Sequence, residues 1–326
     1  MNSCLTASRK WITLALITAV AVLTLRRASA ASPITAETAS RPGRITFKFQ
    51  GKPVMVYECA PYAFKAYVKE LYTLRGNNVL RDSPHDHLHH HALMYGIKVN
   101  GVNFWEEISG NGVQRVVRTE DPVSGTSPDG FPQAILTQEL AWVSAADAFL
   151  PATNAPSLLK EIRTLTLTID EKAGEVALQW LSRFAVGTKT NTVVLTGANY
   201  HGLGMRFLQE LDGAAVHVSP AGKPDLSNSR QDVTAFPWEA VVFEVPGEPS
   251  TIAMFGAPGN ARGNPRFFAM RTGFPYLAAT QGLDQEPLVY RAGDTFELNY
   301  LVTLYPEVKS AEALSERARR FTSQAK

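Results

Sequence analysis

Arg163-Thr164-Leu165-Thr166-Leu167-Thr168-Ile169 alternates strictly, with leucine and isoleucine on one face and threonine on the other. Successive side chains of an extended strand point to opposite sides, so a period of two describes a strand with one face on a core and the other toward water. Asp170 to Gly174 turns, and Val176-Ala177-Leu178-Gln179-Trp180 returns as the partner strand. The same texture extends outward. Ile45-Thr46-Phe47-Lys48-Phe49 alternates, Gln50-Gly51-Lys52 turns, and Val54-Met55-Val56-Tyr57 comes back as a hairpin. Further strands are expected at Gln133 to Val143, Glu239 to Val245, Thr251 to Phe255 and Thr295 to Leu304, with a short one from Leu93 to Val99. The 23 glycines and 20 prolines fall mostly between these runs, where turns belong. One helix is expected: Ser310 can cap it, Glu312 suits its first turn, and Leu314, Ala318 and Phe321 share a face. The fold class is all-β. A single large antiparallel β-sandwich covers residues 45–326, with the short C-terminal helix as a lid on one edge.

Residues 1–30 read as a signal peptide. Arg9 and Lys10 are its basic region, Trp11 to Leu25 its apolar run, and Ala28-Ser29-Ala30 a small-x-small site with cleavage expected after Ala30. The apolar run is 15 residues, short of the roughly 20 that span a bilayer. Arg26 and Arg27, between that run and the cleavage site, keep an uncleaved anchor as the alternative. Ala31 to Arg44, rich in Ala, Ser, Thr and Pro, reads as a flexible leader. The chain's net charge is +2, and loss of the four basic residues before Ala30 leaves the mature chain near −2. That argues against nucleic-acid binding, which needs a basic surface. Cys4 and Cys59 are the two cysteines, so no intrachain disulfide survives cleavage. The expected address is the periplasm or beyond, with no transmembrane span in the mature chain.

Five of the seven histidines lie within seven residues, His85, His87, His89, His90 and His91, in Ser83-Pro84-His85-Asp86-His87-Leu88-His89-His90-His91. Imidazole is the commonest metal ligand and titrates near neutrality, so this density marks a site. In an extended segment His85, His87, His89 and His91 share one face, with Asp86 and His90 opposite. Three readings stay open: a divalent-metal site, with Zn, Ca, Mn and Cu not distinguished; a metal-free catalytic or ligand site; and a polar loop. Phe104-Trp105, after the turn Asn100-Gly101, is core or a stacking platform for a sugar ring. Tyr200-His201-Gly202-Leu203-Gly204-Met205-Arg206 is a glycine-flanked segment with His201 and Arg206 as polar anchors. Asn260 and Arg271 sit in turn-rich regions, where Arg271 can bind a carboxylate or pair with a buried acid. No G-x-S-x-G elbow, no H-E-x-x-H helix and no dinucleotide fingerprint is present, and no nucleotide cofactor is expected.

Arg81-Asp82-Ser83-Pro84, Asp86-His87-Leu88-His89-His90 and Asn100-Gly101-Val102-Asn103-Phe104-Trp105 resemble the PmoA-like proteins, an exported bacterial family often labelled "methane oxygenase PmoA" and otherwise of unknown function. Its pattern is approximately R-D-x-P, D-H-x-H-H, then N-G-x-x-F-W. Later pieces also match: Gly202-Leu203-Gly204-Met205-Arg206, Pro258-Gly259-Asn260, Arg271-Thr272-Gly273-Phe274 and Gly293-Asp294. His85 and His91 lie outside the pattern, and Ala257 stands where the family often has a histidine. A membrane methane monooxygenase needs transmembrane helices, and no run of about 18 apolar residues exists here. The resemblance implies an exported β-sandwich similar to the mutarotase-like supersandwiches that handle sugars. The expected function is therefore a carbohydrate-active enzyme of lyase, hydrolase or epimerase type. His87, His89 and His90 would hold a metal or move protons, and Arg81, His201 and Arg206 would complete the catalytic set. Asp86, Asn103, Trp105, Asn260 and Arg271 would bind the small-molecule or glycan ligand. The alternatives are a non-catalytic glycan-binding module and a periplasmic metal-binding protein without turnover.

Overall fold

Leu165, Leu167 and Ile169 are buried, while Thr164, Thr166 and Thr168 are half-buried on the opposite side. The computed structural model describes residues 34–39, 43–61, 63–223, 231–263 and 265–324; the expected signal peptide and cleavage site lie outside these. Two nine-stranded sheets face each other. The first runs in the order β1 (Ile34–Thr38), β2 (Arg44–Phe49), β3 (Lys52–Glu58), β4 (Tyr67–Leu71), β5 (Leu93–Gly96), β14 (Gly202–Arg206), β20 (Tyr276–Thr280), β19 (Arg266–Met270) and β16 (Gln231–Thr234). The second runs β15 (Ala215–Val218), β17 (Trp238–Phe243), β18 (Ser250–Gly256), β22 (Thr295–Tyr305), β12 (Glu175–Val186), β11 (Ser157–Asp170), β10 (Pro132–Val143) and β8 (Val113–Thr119), with β9 (Val123–Thr126) also on β10. A small sheet joins β21 (Leu288–Arg291), β13 (Thr192–Thr196), β6 (Lys98–Val99) and β7 (Val102–Asn103). The pairing is antiparallel, and one buried cluster takes side chains from both large sheets: Tyr57, Leu93, Leu203 and Leu277 from the first, Leu165, Trp180 and Val302 from the second.

The large antiparallel sandwich is therefore present as expected, with three differences. The segment read as a leader contributes β1, which pairs with β2 and buries Ile34. Gly202 to Arg206, read only as part of a glycine-flanked segment, is a central strand of the first sheet, and its glycines answer a packing need. A Cβ on Gly204 would sit 1.7 Å from the Tyr276 hydroxyl and 3.2 Å from the Trp105 ring. The helix α1 (Ala311–Gln324) forms where Ser310 caps it, the Ser310 hydroxyl accepting from the Ala313 N–H at 3.2 Å. It buries Leu314, Ala318 and Phe321 against Trp238, Ala240, Ala253 and Phe255, so it lies on the face of the second sheet rather than over an edge.

The inward parity of β11 continues back through Arg163 and Glu161, and both side chains are fully buried. Arg163 pairs with Glu161 through Nε–Oε1 at 2.7 Å and Nη2–Oε2 at 3.0 Å. Its Nη1 donates across the core to the Ala66 carbonyl at 2.7 Å and the Tyr57 hydroxyl at 3.2 Å. Trp142 Nε1 and the Ser182 hydroxyl donate to Glu161 at 2.8 and 2.6 Å. Removing one member of a buried pair leaves the other charge unpaired, at a cost of about 3–5 kcal/mol. Glu161→Leu is thus expected to destabilise by about that amount in urea unfolding, and the double change Glu161→Leu with Arg163→Met to recover much of it. A single-variant loss within experimental error would refute the role of the pair.

Candidate functional site

The histidine run is not extended. The Ser83 N–H donates to the His90 carbonyl at 2.9 Å, His87 N–H to Pro84 at 2.9 Å and His90 N–H to His87 at 2.8 Å, so two tight turns follow one another. An antiparallel bridge between Asp82 and His91 closes the loop, and Ser83 and Ala92 flank it in the left-handed region at φ 47° and 46°. The expected alternation of His85, His87, His89 and His91 on one face is overturned because the chain meets its hydrogen-bonding needs within the loop instead of along a strand.

The turns gather His87, His89 and His90. His87 stacks on His90 with centroids 4.5 Å apart, and His89 meets His90 edge-on at 4.6 Å. This cluster lies over the outer face of the first sheet. There Tyr67, Met94, Phe268, Tyr276 and Ala278 form an apolar patch with Trp105, Phe274 and Tyr200. His90 is 5.6 Å from Tyr276 and 6.1 Å from Trp105, whose other neighbour, His201, is stacked on it at 4.9 Å. Arg206 pairs in register with Tyr276, with its guanidinium 3.2 Å from the Phe274 ring centre.

Several buried polar atoms here have no hydrogen-bond partner: His90 Nδ1, His201 Nδ1, Trp105 Nε1, the Tyr276 hydroxyl, and Arg206 Nε and Nη1. Burial drives His90 down to about 2 and His201 to about 3, helped by neighbouring positive charge, so both imidazoles are neutral. His89 is also lowered by burial and by the Lys65 ammonium. Burial raises Tyr276 well above the usual phenol range, so it keeps its proton. Burial lowers Arg206 to about 10, which leaves it charged at neutral pH.

His91, outside the family pattern, is the loop's anchor. It stacks on Tyr67 at 4.2 Å, with Nδ1 2.7 Å from Asp82 Oδ1 and Nε2 2.9 Å from Glu107 Oε2. With a carboxylate on each ring nitrogen, both nitrogens carry protons. Burial opposes that charge, but the two carboxylates outweigh it and raise the imidazole. Lys65, fully buried, extends the network to Glu107 at 2.9 Å and to the Trp105 carbonyl at 2.7 Å. A raised histidine contributes stability below its unfolded value of roughly 6.5 and loses it as pH rises through the folded value. Asp82 and Glu107 are lowered, so their share is present above roughly 4 and lost as pH falls through their folded values. His91→Phe keeps a ring on Tyr67 and removes both N–H donors. Its loss of melting temperature is expected to be largest below the unfolded value of roughly 6.5 and to shrink as pH rises through the raised folded value; a difference that does not change with pH would refute the imidazolium anchor.

The other expected residues divide. Asp86 joins the cluster, 3.1 Å from His87 Nδ1 and 3.6 Å from Arg206 Nη2. The half-buried Arg81 donates its backbone N–H to the Arg206 carbonyl at 2.9 Å. Trp105 is only 1% exposed and one face is covered by His201, so it is not an open stacking platform. The Asn103 side chain accepts from the backbone N–H groups of Trp105 and Glu106 and donates to the Glu106 carboxylate, so it sets Trp105 rather than facing a ligand. Asn260 is buried against β22, bonded to both the N–H and the carbonyl of Asn299. Arg271 is exposed at the start of the β19–β20 loop that carries Phe274. Tyr67, Glu107, Lys65, Phe274 and Tyr276 were missed. The one available signal was Gly273-Phe274 in the family pattern. Among the described residues no group of three His, Cys, Asp or Glu side chains is disposed to hold a metal ion. Within the expected trio, His87 and His90 stack at 24° between planes, and His89 stands edge-on to them at 61° and 83°.

Three solved structures with similar architecture are glycoside hydrolases. They are the GH36 α-galactosidase AgaB from Geobacillus stearothermophilus (8% identity, 84% of this chain and 41% of that one, TM-score 0.47), the α-galactosidase from Lactobacillus brevis (6%, 84% and 40%, 0.43) and a Glycoside Hydrolase Family 97 enzyme from Pseudoalteromonas sp. strain K8 (9%, 84% and 34%, 0.41). This chain spans about two fifths or less of those enzymes. Comparison with curated proteins gives no match. The family model described as "Family of unknown function (DUF6807)" matches residues 44–319, from the second strand into the C-terminal helix. The chain belongs to the DUF6807 family.

Proposed function

We propose that this protein acts on a saccharide-class ligand at the imidazole cluster by proton transfer, as a lyase or epimerase does. The observation that carries this reading is the convergence of orphaned buried polar atoms from His90, His201, Trp105, Tyr276 and Arg206 within one aromatic patch. Leaving a polar group buried and unpaired costs roughly 1–3 kcal/mol, so several together call for a ligand rich in hydroxyls. The C–H faces of a sugar ring suit Phe274, Tyr200 and Leu88, the last 67% exposed at the rim.

His89, half-buried and held neutral, is the base. Tyr276 supplies a hydrogen bond from a phenol that stays protonated, and Arg206 offsets negative charge developing on a substrate oxygen. Carboxyl-based glycoside hydrolysis needs a carboxyl group with a raised pKa as acid. Asp82, Asp86 and Glu107 are all held below the usual range by His91, His87, Lys69, Lys65 and Arg206, while Asp212, which feels the Arg206 charge, is raised by burial, so hydrolysis with Asp212 as acid is a competing reading. A glycan-binding module without turnover is the second reading. It is favoured by the depth to which His90 and His201 are pushed, because a base works best with a pKa near the operating pH.

Incubation with a glycan panel in deuterated water tests these readings. A lyase yields unsaturated product and an epimerase incorporates solvent deuterium at carbon. His89→Ala is expected to cut kcat by about 10²–10⁴-fold, and His85→Ala, in the exposed part of the loop, to leave it unchanged. Because the base must be neutral, the acid limb of kcat/KM should fall below pH 6.5, with the rate dropping as pH falls through the lowered His89 value. Binding without turnover selects the second reading. Turnover abolished by a chelator selects a metal-bound site instead.

A further inference from the structure

We infer that the ligand of this site is an acidic saccharide whose oxyanion pairs with Arg206 once the Phe274 ring is displaced. This rests on the saccharide reading above and narrows it. The Arg206 side chain is 3% exposed, on a central strand of the first sheet. A guanidinium so enclosed ordinarily has a carboxylate against it, since an unpaired buried charge is costly. Arg163 illustrates the usual solution, with Glu161 gripped through two nitrogens. Arg206 has no such partner. Asp86 stands 3.6 Å from Nη2, is 38% exposed, and is nearer to His87 at 3.1 Å. Nε and Nη1 have no acceptor. The carboxylate of Asp212 also has a buried oxygen without a partner, and Arg206 acts on it only through space.

The neighbours of the guanidinium point to the same chemistry. The Tyr276 hydroxyl, which keeps its proton, and Trp105 Nε1 are without partners, so with Arg206 Nε and Nη1 four orphaned groups can donate, beside His90 Nδ1 and His201 Nδ1, whose roles depend on tautomer. A neutral sugar offers hydroxyl groups that donate as well as accept. A carboxylate or sulfate ester only accepts, and it supplies the missing charge. Phe274 covers the flat face of the guanidinium at 3.2 Å and comes from the exposed loop between β19 and β20, with Gly273 in the left-handed region at φ 96°. That loop can move without breaking a strand, and moving it uncovers the cation.

The test compares binding of galactose and glucose with galacturonate, glucuronate and galactose 6-sulfate by calorimetry, following tryptophan fluorescence in parallel. Acidic sugars are expected to bind about 10–100-fold more tightly than their neutral counterparts. The uronate and sulfate arms tell which oxyanion the site takes. Arg206→Gln should abolish the preference. Arg206→Lys keeps the charge if the Gln variant does not fold, and should weaken the preference because the planar fork is lost. His85→Ala, in the exposed part of the loop, should retain it. Equal affinity for acidic and neutral sugars, or a preference that survives Arg206→Gln, overturns this inference and leaves the saccharide reading standing. No binding of any sugar overturns both.

Discussion

The Glu161–Arg163 pair is the constraint around which the sandwich is arranged. It occupies the inward parity of β11, the strand whose outer half supplies the Leu165-Leu167-Ile169 ridge. A charge in that position is tolerated only if every donor finds an acceptor. Arg163 finds them in Glu161, in the Tyr57 hydroxyl on β3, in the Ala66 carbonyl and in the Gln114 side chain at 3.2 Å. The two sheets therefore meet here through directional bonds, as they also do where the Gln281 side chain donates to the Tyr300 hydroxyl at 2.7 Å, alongside non-directional packing of leucine and valine. Directional bonds specify register between sheets in a way that apolar contact does not.

The outer face of the first sheet follows from that register. Leu93, Leu203, Met205 and Leu277 turn inward, so Met94, Gly204, Arg206 and Tyr276 turn outward. Gly204 leaves space for the Tyr276 hydroxyl and the Trp105 ring. Over this floor the histidine loop is held by a charge network of its own, with His91 clamped between Asp82 and Glu107 and Lys65 tying Glu107 to the Trp105 carbonyl. The two networks differ in one respect that separates structure from function. In the core and in the anchor nearly every buried polar group is paired. Between them, at His90, His201, Trp105, Tyr276 and Arg206, pairing fails. Several unpaired groups gathered in one place are what the proposed ligand site rests on.

Much of the architecture was legible in the chain. Period-two alternation carried the strands at residues 133–143 and 163–180, because one side of each meets a core and the other water. Capping by Ser310 and the spacing of Leu314, Ala318 and Phe321 carried the helix. Two strands buried on both faces, Gly202–Arg206 and Tyr276–Thr280, were missed. They show no alternation, and the glycines of the first mask it further.

The histidine run by itself pointed to a candidate site, since five imidazoles in seven residues have few uses on an ordinary surface. It did not determine which of them share it. That was decided by two consecutive tight turns, which swing His87, His89 and His90 together and turn His91 to the carboxylates. The partners that give each group its character, Tyr276, Phe274, Glu107 and Lys65, arrive from distant parts of the chain. Burial and neighbouring charge set the protonation of an imidazole, and both are properties of the assembled fold rather than of local sequence. The chain alone therefore determined the sandwich, the helix and the place of the candidate site. Only tertiary structure decided which histidine is a charged anchor, which are neutral, and that Arg206 stands buried without a full partner.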